Sequence, residues 1–169
     1  GNAVPGTVDD QLRCTLNGPF IDETKQDMHS PPSRREILAD ADVIKAMLQA
    51  THESDIGGSN PVEQGGFILQ DNVNGAFSVA RLPAHGPDSL AFPIRPDGTY
   101  NGIRIVGSFH THPNTGTEWQ QEPSAQDICA SVEYPETMGP HQFVVSRDAV
   151  YHIDNDGAVT ELGPTSQVL

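Results

Sequence analysis

Apolar positions along the 169-residue chain change their period several times, and each change marks a predicted element. Residues 1–34 carry no period. Gly, Pro and polar residues dominate there, with Ser30-Pro-Pro-Ser33 as a break, and they are expected to form an irregular arm or linker. From Arg34 to His52 the residues Ile37, Val43, Ile44, Met47 and Leu48 fall near helical spacing, with Ser33 placed to cap the helix. After the loop Gly57-Gly-Ser-Asn-Pro61 the pattern shortens. Gly66–Gln70 and Ala76–Leu82 read as a hairpin across Asp71–Gly75, and residues 83–99 as a Pro-rich connection. Ile103–His112 is rich in strand formers with apolar residues near period two, and Ala125–Glu133 reads as a helix behind Ser124. Gln142–Ser146 and Val150–Ile153 are predicted strands, followed by a turn at Asp154–Gly157 and a short last strand. A helix, a hairpin, a strand, a helix and more strands predict an α+β fold, a mixed β-sheet flanked by helices, in one domain over residues 35–169.

Composition narrows the class. Hydrophobic residues make up 36 % of the chain, Gly and Pro number 16 and 14, and the mean hydropathy is −0.42, as in a loop-rich globular domain. The formal net charge of −14 makes nucleic acid and anionic membrane surfaces unsuited partners. No run is long and apolar enough for a membrane span or a signal segment. The expectation is a soluble domain, cytoplasmic or secreted as part of a larger protein; the opening Gly1-Asn2-Ala3 in place of Met invites the second reading. Two cysteines, Cys14 and Cys129, do not make a disulfide framework, although a single disulfide between them stays open; the default reading of Cys129 in the predicted helix is a buried thiol.

The chemistry concentrates at His110-Thr-His112-Pro113 and Pro123-Ser124-Ala-Gln-Asp127. On a strand, residues two apart share a face, so His110 and His112 project together, Thr111 points away, and Pro113 ends the strand. Ser124 fits the N-cap and Asp127 the first helical turn, which allows a plain capping box. It also allows Asp127 to complete a metal site with His110 and His112, and three such ligands leave the fourth tetrahedral position open, as a catalytic Zn2+ requires. Other zinc chemistries fail on inspection. There is no His-Glu-x-x-His, no His-x-Glu paired with Pro-Cys-x-x-Cys, no Gly-x-Ser-x-Gly and no phosphate loop.

The order Glu … His-x-His-Pro … Ser-x-x-Asp resembles the JAMM/JAB (MPN-plus) zinc metallopeptidases, over roughly Glu63 to Asp127 with weaker strand echoes to about residue 162. The resemblance implies a JAB/MPN-like, deaminase-like layered fold. It implies zinc on His110, His112 and Asp127, Glu63 as general base in Pro61-Val-Glu-Gln-Gly-Gly-Phe-Ile-Leu69, and Ser124 as an oxyanion donor. It departs in one place. Eleven residues separate His112 from Ser124, more than is usual in the family, and the stretch 114–122 is expected to bulge beside the metal.

Three functions follow as expectations. The first is a zinc-dependent peptidase or isopeptidase acting on a protein or peptide substrate. The second is a JAB-like toxin or effector domain of a larger secreted bacterial protein, with an immunity or ubiquitin-like partner. The third is a non-catalytic metal-binding interaction module. Glu53, Asp55, Glu118 and Glu122 compete with Glu63 as the base, and Glu63 itself also suits a solvated strand-start carboxylate. His29, His52, His85, His141 and His152 lack paired spacing and read as surface or satisfied histidines, His85 being the reserve ligand.

Overall fold

The computed structural model describes residues 30–169. The arm expected over residues 1–34 lies outside the described residues as far as residue 29, and so does Cys14. The first elements are helices α1 (Arg34–Ala39) and α2 (Ala41–Glu53). Ser33 caps α1 in a full capping box with Glu36. The single helix expected from Arg34 to His52 is two helices. Asp40 takes an extended backbone, φ −79° and ψ 126°, and its side chain accepts from the amides of Asp42 and Val43, so one residue ends α1 and starts α2. An Asp side chain competes well with helix continuation because it can satisfy two orphan amides locally.

The strands are β1 (Gly65–Gln70), β2 (Phe77–Arg81), β3 (Thr99–Tyr100), β4 (Ile103–Thr111), β5 (Gln142–Val145), β6 (Ala149–Ile153) and β7 (Val159–Pro164). The remaining helices are α3 (Ala125–Glu133), α4 (Pro135–Met138) and α5 (Thr165–Val168). Among the described residues, these seven strands form one mixed sheet in the order β2-β1-β4-β5-β6-β7, with β3 paired to β4. The fold is α+β, as the pattern predicts. Among the described strands the β4–β5 pair alone is parallel, and α3 and α4 form the crossover that a parallel pair needs. β3, α4 and α5 are each too short to show a period.

Each face of the sheet has its own core. Ile37, Val43, Met47 and Ala50 of α1 and α2 pack on Ile68, Val106, Phe109, Phe143, Val145 and Val150. On the opposite face Phe67, Leu69 and Ile105 pack with Leu82, Leu90 and Phe92 of the Pro-rich connection and with Ala130 and Met138. Phe67, Phe109 and Phe143 are fully buried, worth about 1.5–3 kcal/mol each.

A bulge decides which face the histidines join. Ile68 pairs with Gly107, but Leu69 pairs with Ile105, so β4 carries one extra residue there. Simple alternation would put Ile105 on the face of Phe109. The extra residue reverses the phase, and Ile105 instead shares a face with Ser108, His110 and His112.

His141 and His152 form a polar cluster behind the sheet. Their rings bond at 2.7 Å, His141 also reaches the Pro32 carbonyl at 2.7 Å, and Arg34 lies 3.3 Å from His152. Both are satisfied histidines, as their spacing suggested. Burial, with His141 and Arg34 beside it, pushes His152 from 6.5 down to about 4, although Asp154 works the other way. Burial lowers His141 as well, with Arg34 adding to it against the Pro32 carbonyl and Asp154. The unfolded chain therefore binds the extra proton first. Stability is full above pH 6.5 and is lost as pH falls toward 4, by about 2 kcal/mol between pH 7 and pH 5 for His152 alone. Urea denaturation at pH 7, 6 and 5 should show this slope, and His152→Gln should flatten it. Equal slopes in the two proteins would remove His152 as its source.

Candidate metal centre

The register between β1 and β4 builds the first half of the centre. Gly65 lies opposite His110, and the ladder continues through Gln64 and Thr111, where the Thr111 amide donates to the Gln64 carbonyl at 2.8 Å. Glu63 lies just ahead of this ladder and is 1 % exposed. The reading of Glu63 as a solvated carboxylate is set aside by that burial. Gly65 is needed for the approach, since a Cβ there would run into the Phe109 carbonyl and the Leu90 side chain. Thr111 points the other way and bonds Ser54 Oγ at 2.6 Å and the Gln64 amide at 3.0 Å.

The N-terminus of α3 supplies the second half. The Asp127 amide donates to Ser124 Oγ at 3.1 Å, and the Ser124 amide donates to Asp127 Oδ2 at 2.9 Å, so the capping box is complete. The same carboxylate also faces both imidazoles. His110 Nε2 lies 3.1 Å from Oδ1, His112 Nε2 lies 3.1 Å from Oδ2, and the two Nε2 atoms are 3.2 Å apart. Capping and ligand geometry are thus two uses of one side chain. His110, His112 and Asp127 are all buried, and their ligand atoms lie within 4.8 Å of one another. Among the described residues they are the only such group.

The electrostatics favour a cation. Burial pushes His110 down to about 4 even with Asp127 beside it, and burial lowers His112 as well. Burial works against the Asp127 charge. Its carboxyl is nonetheless held well below the usual range, so it stays charged. His112 Nδ1 lies 2.9 Å from the Gln121 carbonyl, which can only accept, so Nδ1 carries the proton and Nε2 presents a lone pair. That lone pair points at a carboxylate oxygen and at a second imidazole. Lone pairs converging at this distance in a buried site repel one another unless a cation lies among them. Two imidazoles oriented through Nε2 and one carboxylate suit Zn2+ by ligand type, with His112 held by an outer partner as zinc-binding imidazoles commonly are.

Loops close over the centre. The Gly86 carbonyl accepts the Glu63 amide at 2.8 Å, and the Phe92 ring meets His110 edge-on at 6.5 Å. Asn114 Nδ2 donates to the Pro87 carbonyl at 2.7 Å, and Gln121 Nε2 donates to the Asn114 carbonyl at 2.7 Å. The stretch 114–122 is therefore more than a bulge, because it carries the carbonyl that orients His112. Sequence reading missed Gln121 in that role, since a backbone acceptor leaves no residue-type signal.

Other candidates stay apart from the cluster. His85, Glu118 and Glu122 are exposed, and so are His52 and Asp55. Glu53 forms an ion pair with Arg81 at 3.1 Å. Cys129 corrects an expectation: it is disulfide-bonded and half-buried rather than a buried thiol. Among the described residues no helix is long and apolar enough to cross a membrane. Compared with known proteins, the chain matches no family model and no curated protein.

Proposed function

We propose that this chain is a zinc-dependent hydrolase of the JAMM type, cleaving a peptide or isopeptide bond in a protein or peptide substrate. The observation that supports it best is the buried convergence of His110, His112 and Asp127, with a further buried carboxylate, Glu63, just ahead of β1 and outside that ligand group. A catalytic zinc site needs this division between ligands that hold the ion and a separate base.

When bound, zinc would lower the pKa of a water toward neutrality and polarise the scissile carbonyl. Glu63 would accept the proton released as water adds to the carbonyl, then deliver it to the leaving amine. Asp127 would act twice, holding the ion and pinning the Ser124 amide, which fixes where the Ser124 hydroxyl sits. The Ser124 Oγ already accepts from the Asp127 amide, so its own O–H is left to donate toward the developing oxyanion. Phe92, Leu90 and the stretch 114–122 would limit water at the reacting centre.

The test is to incubate zinc-loaded and zinc-stripped protein with a complex protein mixture and to identify new chain ends and lysine remnants by mass spectrometry. Ends that appear only in the loaded sample support hydrolysis, and their chemistry separates linear from isopeptide cleavage. Identical ends in both samples would remove the enzyme and leave a metal-binding module.

A further inference from the structure

Gln142 is the first residue of β5, beside Ser108 of β4, and its side chain is fully buried. Its Nε2 donates to the main-chain carbonyl of Asp127 at 2.8 Å and to Ser131 Oγ at 2.6 Å. Its Oε1 is buried without a hydrogen-bond partner among the described residues. A core position that spends its hydrogen-bonding capacity this way is there for its donors.

Besides the disulfide at Cys129, hydrogen bonds to its carbonyls set where α3 sits. Its larger apolar residues Ile128 and Val132 are half-buried and face Gly157, so the helix has only the small Ala130 deep in the apolar core. Apolar contacts of that size tolerate sliding, whereas a hydrogen bond to one named carbonyl does not. The far end of α3 has a separate anchor, Asn155 Nδ2, which donates to the carbonyls of Ser131 and Gly139 at 3.0 Å each. Two amide side chains thus hold one short helix, one at the Asp127 peptide and one a turn beyond it.

We infer that Gln142 is a positioning residue for the metal ligand Asp127, setting the height of α3 over β4 so that the carboxylate meets His110 and His112. This rests on the metal-centre reading. Loss of an outer partner of this kind weakens metal binding by roughly 10- to 100-fold.

The experiment measures the zinc dissociation constant by competition with a chromophoric chelator, and the melting temperature of each zinc-free protein. Gln142→Met should fold and bind zinc roughly 10- to 100-fold more weakly than wild type. Asn155→Ala should lower the zinc-free melting temperature and leave zinc affinity near wild type, because its bonds lie away from Asp127. Ser131→Ala, which removes only the second acceptor of Gln142, should also keep its zinc affinity. If Gln142→Met does not fold, Gln142→Asn, one methylene short of the Asp127 carbonyl, takes its place with the same expectation. Wild-type zinc affinity in the Gln142 variant, or equal weakening in Asn155→Ala, would overturn the inference while sparing the metal centre. A wild-type protein that binds no zinc would overturn both.

Discussion

Glu63→Gln should leave about one zinc per chain in place and lower hydrolysis by a factor on the order of 10² to 10⁴. Glutamine keeps the volume of this 1 % exposed side chain and much of its hydrogen-bonding shape, but it cannot accept a proton at neutral pH. The ligand atoms belong to other residues, so the metal has no reason to leave. The measurement pairs metal analysis with turnover on the substrate identified by its cleaved ends. Lost zinc would move Glu63 into the ligand set. Retained zinc with undiminished turnover would pass the role of base to another carboxylate, and Glu53, Glu118 and Glu122 are all exposed on the surface.

Asp127→Ala should strip the protein from about one zinc to nearly none, and His110→Ala and His112→Ala should do the same. Asp127→Asn is the sharper variant. Its side-chain oxygen can still accept from the Ser124 amide, so the start of α3 survives, while the charge facing both imidazoles is gone. Zinc affinity should fall in Asn as in Ala, and the cost of losing the Ser124 amide's hydrogen bond, about 0.5–1.5 kcal/mol, should appear only in Ala. Thermal melts give a second readout. A ligand at a thousandfold its dissociation constant adds about 4 kcal/mol to a native state. Zinc should therefore raise the melting temperature of wild type and leave that of both Asp127 variants unmoved. Full zinc in Asp127→Asn would reduce Asp127 to a helix cap.

Much of this centre was legible before any coordinates. The pattern of strand formers placed His110 and His112 on one strand, and residues two apart on a strand must share a face. Ser124 and Asp127 fitted a capping box because those residue types satisfy the first amides of a helix wherever one starts, and both bonds are present. The break at Asp40 escaped notice because the apolar spacing runs on through it. Gln142 was visible only as the start of a strand, since nothing in its own neighbourhood says that its amide will meet a helix fifteen residues away in sequence.

By itself the sequence determined what short-range physics controls: helix and strand periods, caps and turns, the α+β order of elements and the pairing of the two histidines. The tertiary structure decided everything that depends on distant segments meeting. The bulge across from Ile68 and Leu69 put the histidines on the face of α3 rather than of α2. The β1–β4 register set Gly65 against His110, the loop at Gln121 chose the His112 tautomer, and Gln142 holds the Asp127 peptide. The reason is physical. A capping bond or an alternating strand is decided within a few residues of chain, whereas register, bulges and buried polar contacts are settled by which surfaces pack together, and residue identity constrains that only through the whole fold.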